Sequence, residues 1–153
     1  MKPRQRGPKS SDTYRGTLTL DTNGPMIWIV DRQQWPRALL RAELIERGYE
    51  AVGFGEVNEA LRAFRYRLYA RPQLIILELK DLGDEEQRVP ALAGLGIPII
   101  LLAGLGAEQR AILKERWWAV LLKRPLTIGR VVEEVERQME FVKAKSGKAE
   151  TVL

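Results

Sequence analysis

The chain has no cysteine and no histidine. Without cysteine there is no disulfide and no thiolate metal site. Without histidine the commonest general base, the commonest zinc ligand and the phosphohistidine carrier all disappear. No apolar run approaches the length of a membrane span. The basic amino-terminal stretch lacks the apolar core of a signal peptide, so the expected location is the cytoplasm, with no membrane contact. No metal and no cofactor are expected.

What is present suits one domain with a single core: 153 residues, 45% hydrophobic and 29% charged. The net charge of +5 belongs to the ends. Residues 1–25 carry five Lys/Arg against two Asp, and residues 141–153 carry three Lys against one Glu. The span between holds 17 basic and 17 acidic residues, which cancel. Residues 1–25 read as a flexible basic leader, with "GTLTL" a short extended piece. Residues 26–141 read as the folded domain, and 142–153 as a disordered basic tail.

Within the domain, apolar strands alternate with helices. "MIWIV", "YEAVGF", "LIILE", "IPIILLAG" and "AVLLK" read as five strands. "WPRALLRAELIERG" reads as the first helix, with Leu39, Leu40, Ala42, Leu44 and Ile45 on its buried side. "VNEALRAFRYRLYARP" is the second, with Ala60, Leu61, Phe64 and Leu68 inward. "GDEEQRVPALAGLG" allows only a short third helix. "AEQRAILKERW" reads as a fourth. "TIGRVVEEVERQMEFVKAK" is a long last helix, with Ile128, Val131, Val132, Val135, Met139 and Phe141 near one stripe. Near-continuous apolar strands separated by helices mean an α/β, doubly wound, five-stranded parallel sheet covered on both faces.

The pieces "IWIVDRQQWPRALLRAELIERGYEAV", "PQLIILELKDLG", "IPIILLAG" and "AVLLKRPLT" together resemble the receiver domain of bacterial response regulators. The resemblance runs from about Met26 to Met139. It implies a flavodoxin-like (CheY-like) sheet of order 2-1-3-4-5. It also implies a site at the carboxyl edge of that sheet. Working receivers carry an acidic pair after the first strand that binds magnesium, and a phosphoaccepting aspartate after the third. A Thr or Ser follows the fourth strand, a Lys before Pro follows the fifth, and an aromatic switch lies on the fifth.

On those positions the chain departs from the pattern. Asp31 matches the first acid, but Arg32 replaces the second, a fixed cation where magnesium wants an oxygen. Glu78 stands at the phosphoacceptor position, one methylene too long for in-line attack. Ala103 replaces the hydroxyl residue. Arg124, beside Pro125 and after Lys123, takes the lysine's place. Leu121 replaces the aromatic. The resemblance therefore implies a degenerate pseudo-receiver without metal or catalysis, a non-enzymatic signal-transduction module that phosphorylation does not switch. Glu78 is expected to pair with Arg32, Arg124 or Lys123, filling a dead site in preference to imitating a phosphorylated residue. A receiver that retains weak phosphorylation is the alternative. So is a nucleic-acid-associated regulator using the basic tails, which the neutral core disfavours.

Other stretches have weaker readings. "GLGAEQR" lacks the third glycine of a dinucleotide fingerprint and reads as a tight turn. Trp117 and Trp118 are a candidate interaction surface. They border the face of the fourth helix, fifth strand and fifth helix, through which receivers meet another signalling protein or a second copy of themselves. Trp35 is placed at the mouth of the pocket, where it could cap it, but ordinary packing against the second strand is the favoured reading. "RAFRYRLYARP" is aromatic and basic, and reads as a solvated helix with aromatic cover. "ETVL" matches a PDZ ligand too briefly to carry weight.

Overall fold

The structure, a computed structural model, describes residues 24–152. The basic leader and its "GTLTL" piece lie outside the described residues, apart from Gly24 and Pro25.

Five strands form one parallel sheet: β1 (Met26–Val30), β2 (Glu50–Phe54), β3 (Leu74–Glu78), β4 (Ile99–Ala103) and β5 (Val120–Lys123). Their order is β2-β1-β3-β4-β5. All five residues of β1, β3 and β4 are buried, as central strands covered on both faces must be. The edge strands β2 and β5 are only partly buried.

The pleat sends alternate side chains to opposite faces and so divides the core in two. Trp28, Val30, Ile75, Leu77, Ile99 and Leu101 meet one set of helices, and Ile27, Ile29, Leu74, Ile76, Ile100 and Leu102 the other. On the first face lie α2 (Val57–Tyr66) and the five-residue α3 (Val89–Ala93). On the second lie α1 (Gln34–Glu46) and α4 (Ile128–Val152). Burial of this kind contributes roughly 25 cal/mol per Å² of apolar area removed from water, and it dominates over local propensity.

Helix ends follow local chemistry. Glu56 and Glu59 form a reciprocal capping box at the start of α2, and Arg67 closes it in the left-handed region at φ 54°. Thr127 Oγ1 accepts from the Arg130 backbone N–H at the start of α4. The third helix is short, as expected, because a 3-10 turn over Gly83–Arg88 precedes it.

Several expectations need correction. Among the described residues no α-helix stands between β4 and β5. Two 3-10 turns, Ala107–Gln109 and Ala111–Leu113, stand there. Trp117 Nε1 donates to the Ile112 carbonyl at 2.7 Å, occupying the acceptor that an α-helix would offer to residue 116. Arg110 between the turns is extended at ψ 139°, and its guanidinium bonds the Leu79 carbonyl and Glu86.

Residues 142–152 continue α4 and are helical, where the sequence suggests a disordered tail. Lys143, Ala144 and Lys145 are good helix formers and extend an already nucleated helix at little cost. Leu39, Ala42 and Ile45 of α1, Phe141 of α4, and Leu68 beyond the end of α2 are exposed. The buried positions of α1 are Leu40 and Leu44, a narrower stripe than five apolar residues suggested. Ala63, not anticipated, is buried in α2.

Candidate functional site

The register fixes which residues share the carboxyl edge. Val30 pairs with Leu77, so Asp31 stands level with Glu78. Glu78 pairs with Leu102, and Ala103 with Lys123. The Arg124 backbone N–H then bonds the Ala103 carbonyl at 2.9 Å and anchors the chain beyond β5. The Arg124–Pro125 peptide bond is cis.

Asp31 and Glu78 follow Val30 and Leu77, which point to the α2 side. The two carboxylates therefore fall on the α1–α4 side. They end in a well of about 330 Å³ between these helices. Asp31, Gln33, Glu78, Lys80 and Arg124 make its polar end. Leu39, Leu40, Leu102, Leu126 and Val131 make its apolar wall, and Trp35 and Ile128 its rim.

Both carboxylates are almost fully buried, Asp31 at 6% exposure and Glu78 at 3%. Both are engaged. Glu78 Oε1 accepts from Arg124 Nη2, and its Oε2 accepts from the Lys80 backbone N–H at 2.9 Å. Asp31 Oδ1 accepts from the Gln33 backbone N–H at 2.8 Å. Burial pushes the Asp31 carboxyl above its ordinary range. The Gln33 hydrogen bond opposes this, the Glu78 charge adds to it, and Arg37 and Arg124 oppose it. Arg124 Nη1 is buried and has no hydrogen-bond partner among the described residues.

The expected site residues do not all converge. Asp31, Glu78 and Arg124 come together. Arg32 is exposed and does not line the well, because consecutive residues past a strand end diverge. Lys123 is exposed at the end of β5. Ala103 is buried and offers only a methyl group and its carbonyl. Leu121 packs against the α2-side core. Trp117 and Trp118 form a T-shaped pair, with ring centroids 5.4 Å apart, half-buried against that core. Trp35 stands at the mouth of the well, 75% exposed, and, contrary to the favoured reading, is not packed against the second strand.

Arg37 escaped sequence reasoning. Its Nη1 donates to the Asp31 carbonyl at 2.6 Å, bracing the strand end. To get there its stem crosses Gly53, where an added Cβ would meet Arg37 Cγ at 3.0 Å. A glycine inside a strand pattern was the available signal of such a close approach. Lys80 and Gln33 act through their backbone N–H groups, which no side-chain pattern reveals.

No protein-family model and no curated protein matches the chain. Solved structures do. NtrX from Brucella abortus, in complex with ADP, aligns at 22% identity and TM-score 0.67, over 82% of this chain and 29% of that one. A response regulator receiver modulated diguanylate cyclase from Pelobacter carbinolicus aligns at 20% identity and TM-score 0.63, over 80% of this chain and 98% of that one. A CheY-like receiver domain protein from Methanospirillum hungatei JF-1 aligns at 16% identity and TM-score 0.64, covering 78% and 98%. This chain has the receiver fold. It spans less than a third of the NtrX chain.

The receiver fold raises the question of magnesium. The residues present do not fit it. A hard octahedral ion needs several oxygen donors free to coordinate. Here one of the carboxylates, Glu78, already holds a guanidinium, and Arg32 supplies no oxygen. Among the described residues no group of three acidic side chains is placed to hold an ion. No helix of the described residues is long and apolar enough to cross a membrane.

Proposed function

We propose that the protein is a non-catalytic signalling module built on a receiver fold, a pseudo-receiver that works through protein–protein contact and is not switched by aspartyl phosphorylation. The observation that carries this is the state of Glu78. Phosphoryl transfer needs an oxygen nucleophile open to in-line approach, and cations that stabilise spreading negative charge. Both Glu78 oxygens already accept hydrogen bonds, and the cation that would steady a phosphoryl group is bound to the carboxylate itself. The departures at Arg32, Ala103 and Leu121 support the same reading. Arg32 is no ligand, Ala103 has no hydroxyl, and Leu121 has no ring to reorient. The pair fills the place that metal and phosphate take in working receivers.

The contact surface that best suits this function is the rim of the well. Trp35, Leu39 and Ile128 are exposed apolar side chains grouped around it. The face beside Trp117 and Trp118 is a weaker candidate, since those rings are half-buried against the core and two 3-10 turns stand where the helix between β4 and β5 was expected.

Beryllofluoride with magnesium, followed by amide NMR, tests the inert site. The expected result is no saturable shift at Asp31, Glu78 or Gly104. Acetyl phosphate treatment followed by mass spectrometry is expected to add no phosphoryl group. A saturable response at those three residues, or a phosphorylated Asp31 or Glu78, overturns the reading in favour of a working response regulator.

A further inference from the structure

The aromatic-basic stretch from Arg62 to Pro72 takes no part in the well. After α2 the chain turns at Arg67 and returns to β3 at the opposite, amino edge of the sheet, where the Gln73 N–H bonds the Met26 carbonyl at 2.8 Å. A second cavity of about 330 Å³ lies here, lined by Trp28, Phe64, Arg67, Tyr69 and Arg71. That is within the usual range for small-ligand sites, roughly 300–1,000 Å³.

The chemistry of the lining is one-sided. Trp28 is 1% exposed, and its indole Nε1 is buried without a hydrogen-bond partner among the described residues. An indole N–H can only donate, and so can a guanidinium. Buried donors left unpaired are rare in folded proteins and call for an acceptor. Neither Arg67 nor Arg71 has a hydrogen bond or ion pair from its guanidinium to a described residue. Arg71 lies over the Phe64 ring, 5.2 Å from its centroid. Trp28 and Phe64 meet edge to face at 6.3 Å, so the walls are aromatic. Among the described residues no carboxylate lines the cavity. Two positive charges and aromatic walls line a space to which the described residues bring no counter-charge.

We propose that this cavity binds a small planar anion: an aromatic carboxylate or an aromatic phosphate monoester. Arg67 and Arg71 take the anionic group and the aromatic walls take the ring. Single-stranded nucleic acid is the competing occupant. It binds by stacking successive bases on exposed rings, and of the described rings in the lining only Tyr69 is exposed.

The test uses the full chain labelled with nitrogen-15, in which each tryptophan indole N–H gives its own NMR signal. It is titrated at millimolar concentrations with 2-naphthoate, 1-naphthyl phosphate, the neutral 2-naphthamide and a single-stranded oligonucleotide. The expected result is a saturable shift of the Trp28 indole with one or both naphthyl anions, the tighter one telling carboxylate from phosphate ester. The R67Q/R71Q variant, altered only at exposed side chains, should keep its fold and bind about tenfold more weakly or worse. An unmoved Trp28 indole with both anions overturns the proposal. So does equal affinity of 2-naphthamide, full affinity of R67Q/R71Q, or a Trp28 response to the oligonucleotide alone.

Discussion

Arg124 of the segment after β5 reaches across β4 and bonds the carboxylate of Glu78 at the end of β3. The bond joins two strands that do not touch. The Arg124 backbone is tied to Ala103, the last residue of the intervening strand, so the guanidinium starts from a fixed point. Glu78 is buried while the Arg124 side chain is 38% exposed. The asymmetry matters. The carboxylate has lost its water and depends on the arginine, whereas the arginine keeps part of its hydration.

Removing the cation should therefore hurt more than removing both charges. R124A leaves a buried carboxylate with one backbone hydrogen bond. Breaking a fully buried pair costs about 3–5 kcal/mol. Partial exposure of Arg124 lowers the expectation to about 1–3 kcal/mol, read as a lower urea midpoint. The E78L/R124M variant, which keeps volume and removes both charges, should be more stable than R124A. Equal stability of R124A and the natural chain would show that the pair does not hold the edge together.

Asp31 should make the stability of the fold depend on pH. Its folded carboxyl titrates above the ordinary 3.8, first because it is buried. A carboxyl that ionises less readily in the folded than in the unfolded chain opposes folding once ionised. That unfavourable contribution is complete above the raised folded value, shrinks as pH falls through it, and vanishes below 3.8. D31N, which keeps an oxygen for the Gln33 N–H, should be more stable than the natural chain at pH 7. The difference should close on acidification toward pH 3.8. Urea unfolding at several pH values measures this, and a D31N variant less stable at neutral pH would contradict it.

The missing oxygens should be restorable. R32D/E78D/R124K supplies three carboxylates at the sheet edge and releases the clamp on the third strand. Magnesium titration followed by amide NMR should show saturable shifts around residues 31, 32 and 78 in this variant and none in the natural chain. Saturation of the natural chain at the same concentrations would mean that Glu78 and Asp31 coordinate despite Arg124.

The parallel sheet and the place of Glu78 at its edge were legible in short apolar runs, whereas the order of strands came with the resemblance to receivers. "LIILE" is a buried strand whose last residue must lie at the carboxyl edge. The choice among Arg32, Lys123 and Arg124 was not legible. It depends on the Val30–Leu77 register, which puts Asp31 level with Glu78 and leaves Arg32 one step into solvent. The helix expected after β4 failed for a different reason. Its composition is helical, but the Trp117 indole takes the Ile112 carbonyl, and Arg110 is drawn toward Glu86 and Leu79. Such contacts override propensity without leaving a periodic trace. Arg37 was findable, since Gly53 interrupts a strand that otherwise wants a side chain.

Trp117 can be separated from an interaction anchor by the energy it carries alone. Its ring packs half-buried against the α2-side core and meets Trp118 edge to face, and its Nε1 holds the turn that replaces a helix. Truncating a fully buried tryptophan costs about 3–5 kcal/mol. The half-buried position should bring W117A to about 2–3 kcal/mol. W117F keeps the ring but leaves the Ile112 carbonyl without its donor, so it should cost about 1 kcal/mol. Urea unfolding gives both values, and sedimentation of the same samples reports self-association. A graded loss of stability, with the sedimentation of W117F unchanged, marks a residue that shapes the fold. Unchanged stability of W117A together with a lost dimer would instead make the tryptophan pair the contact surface.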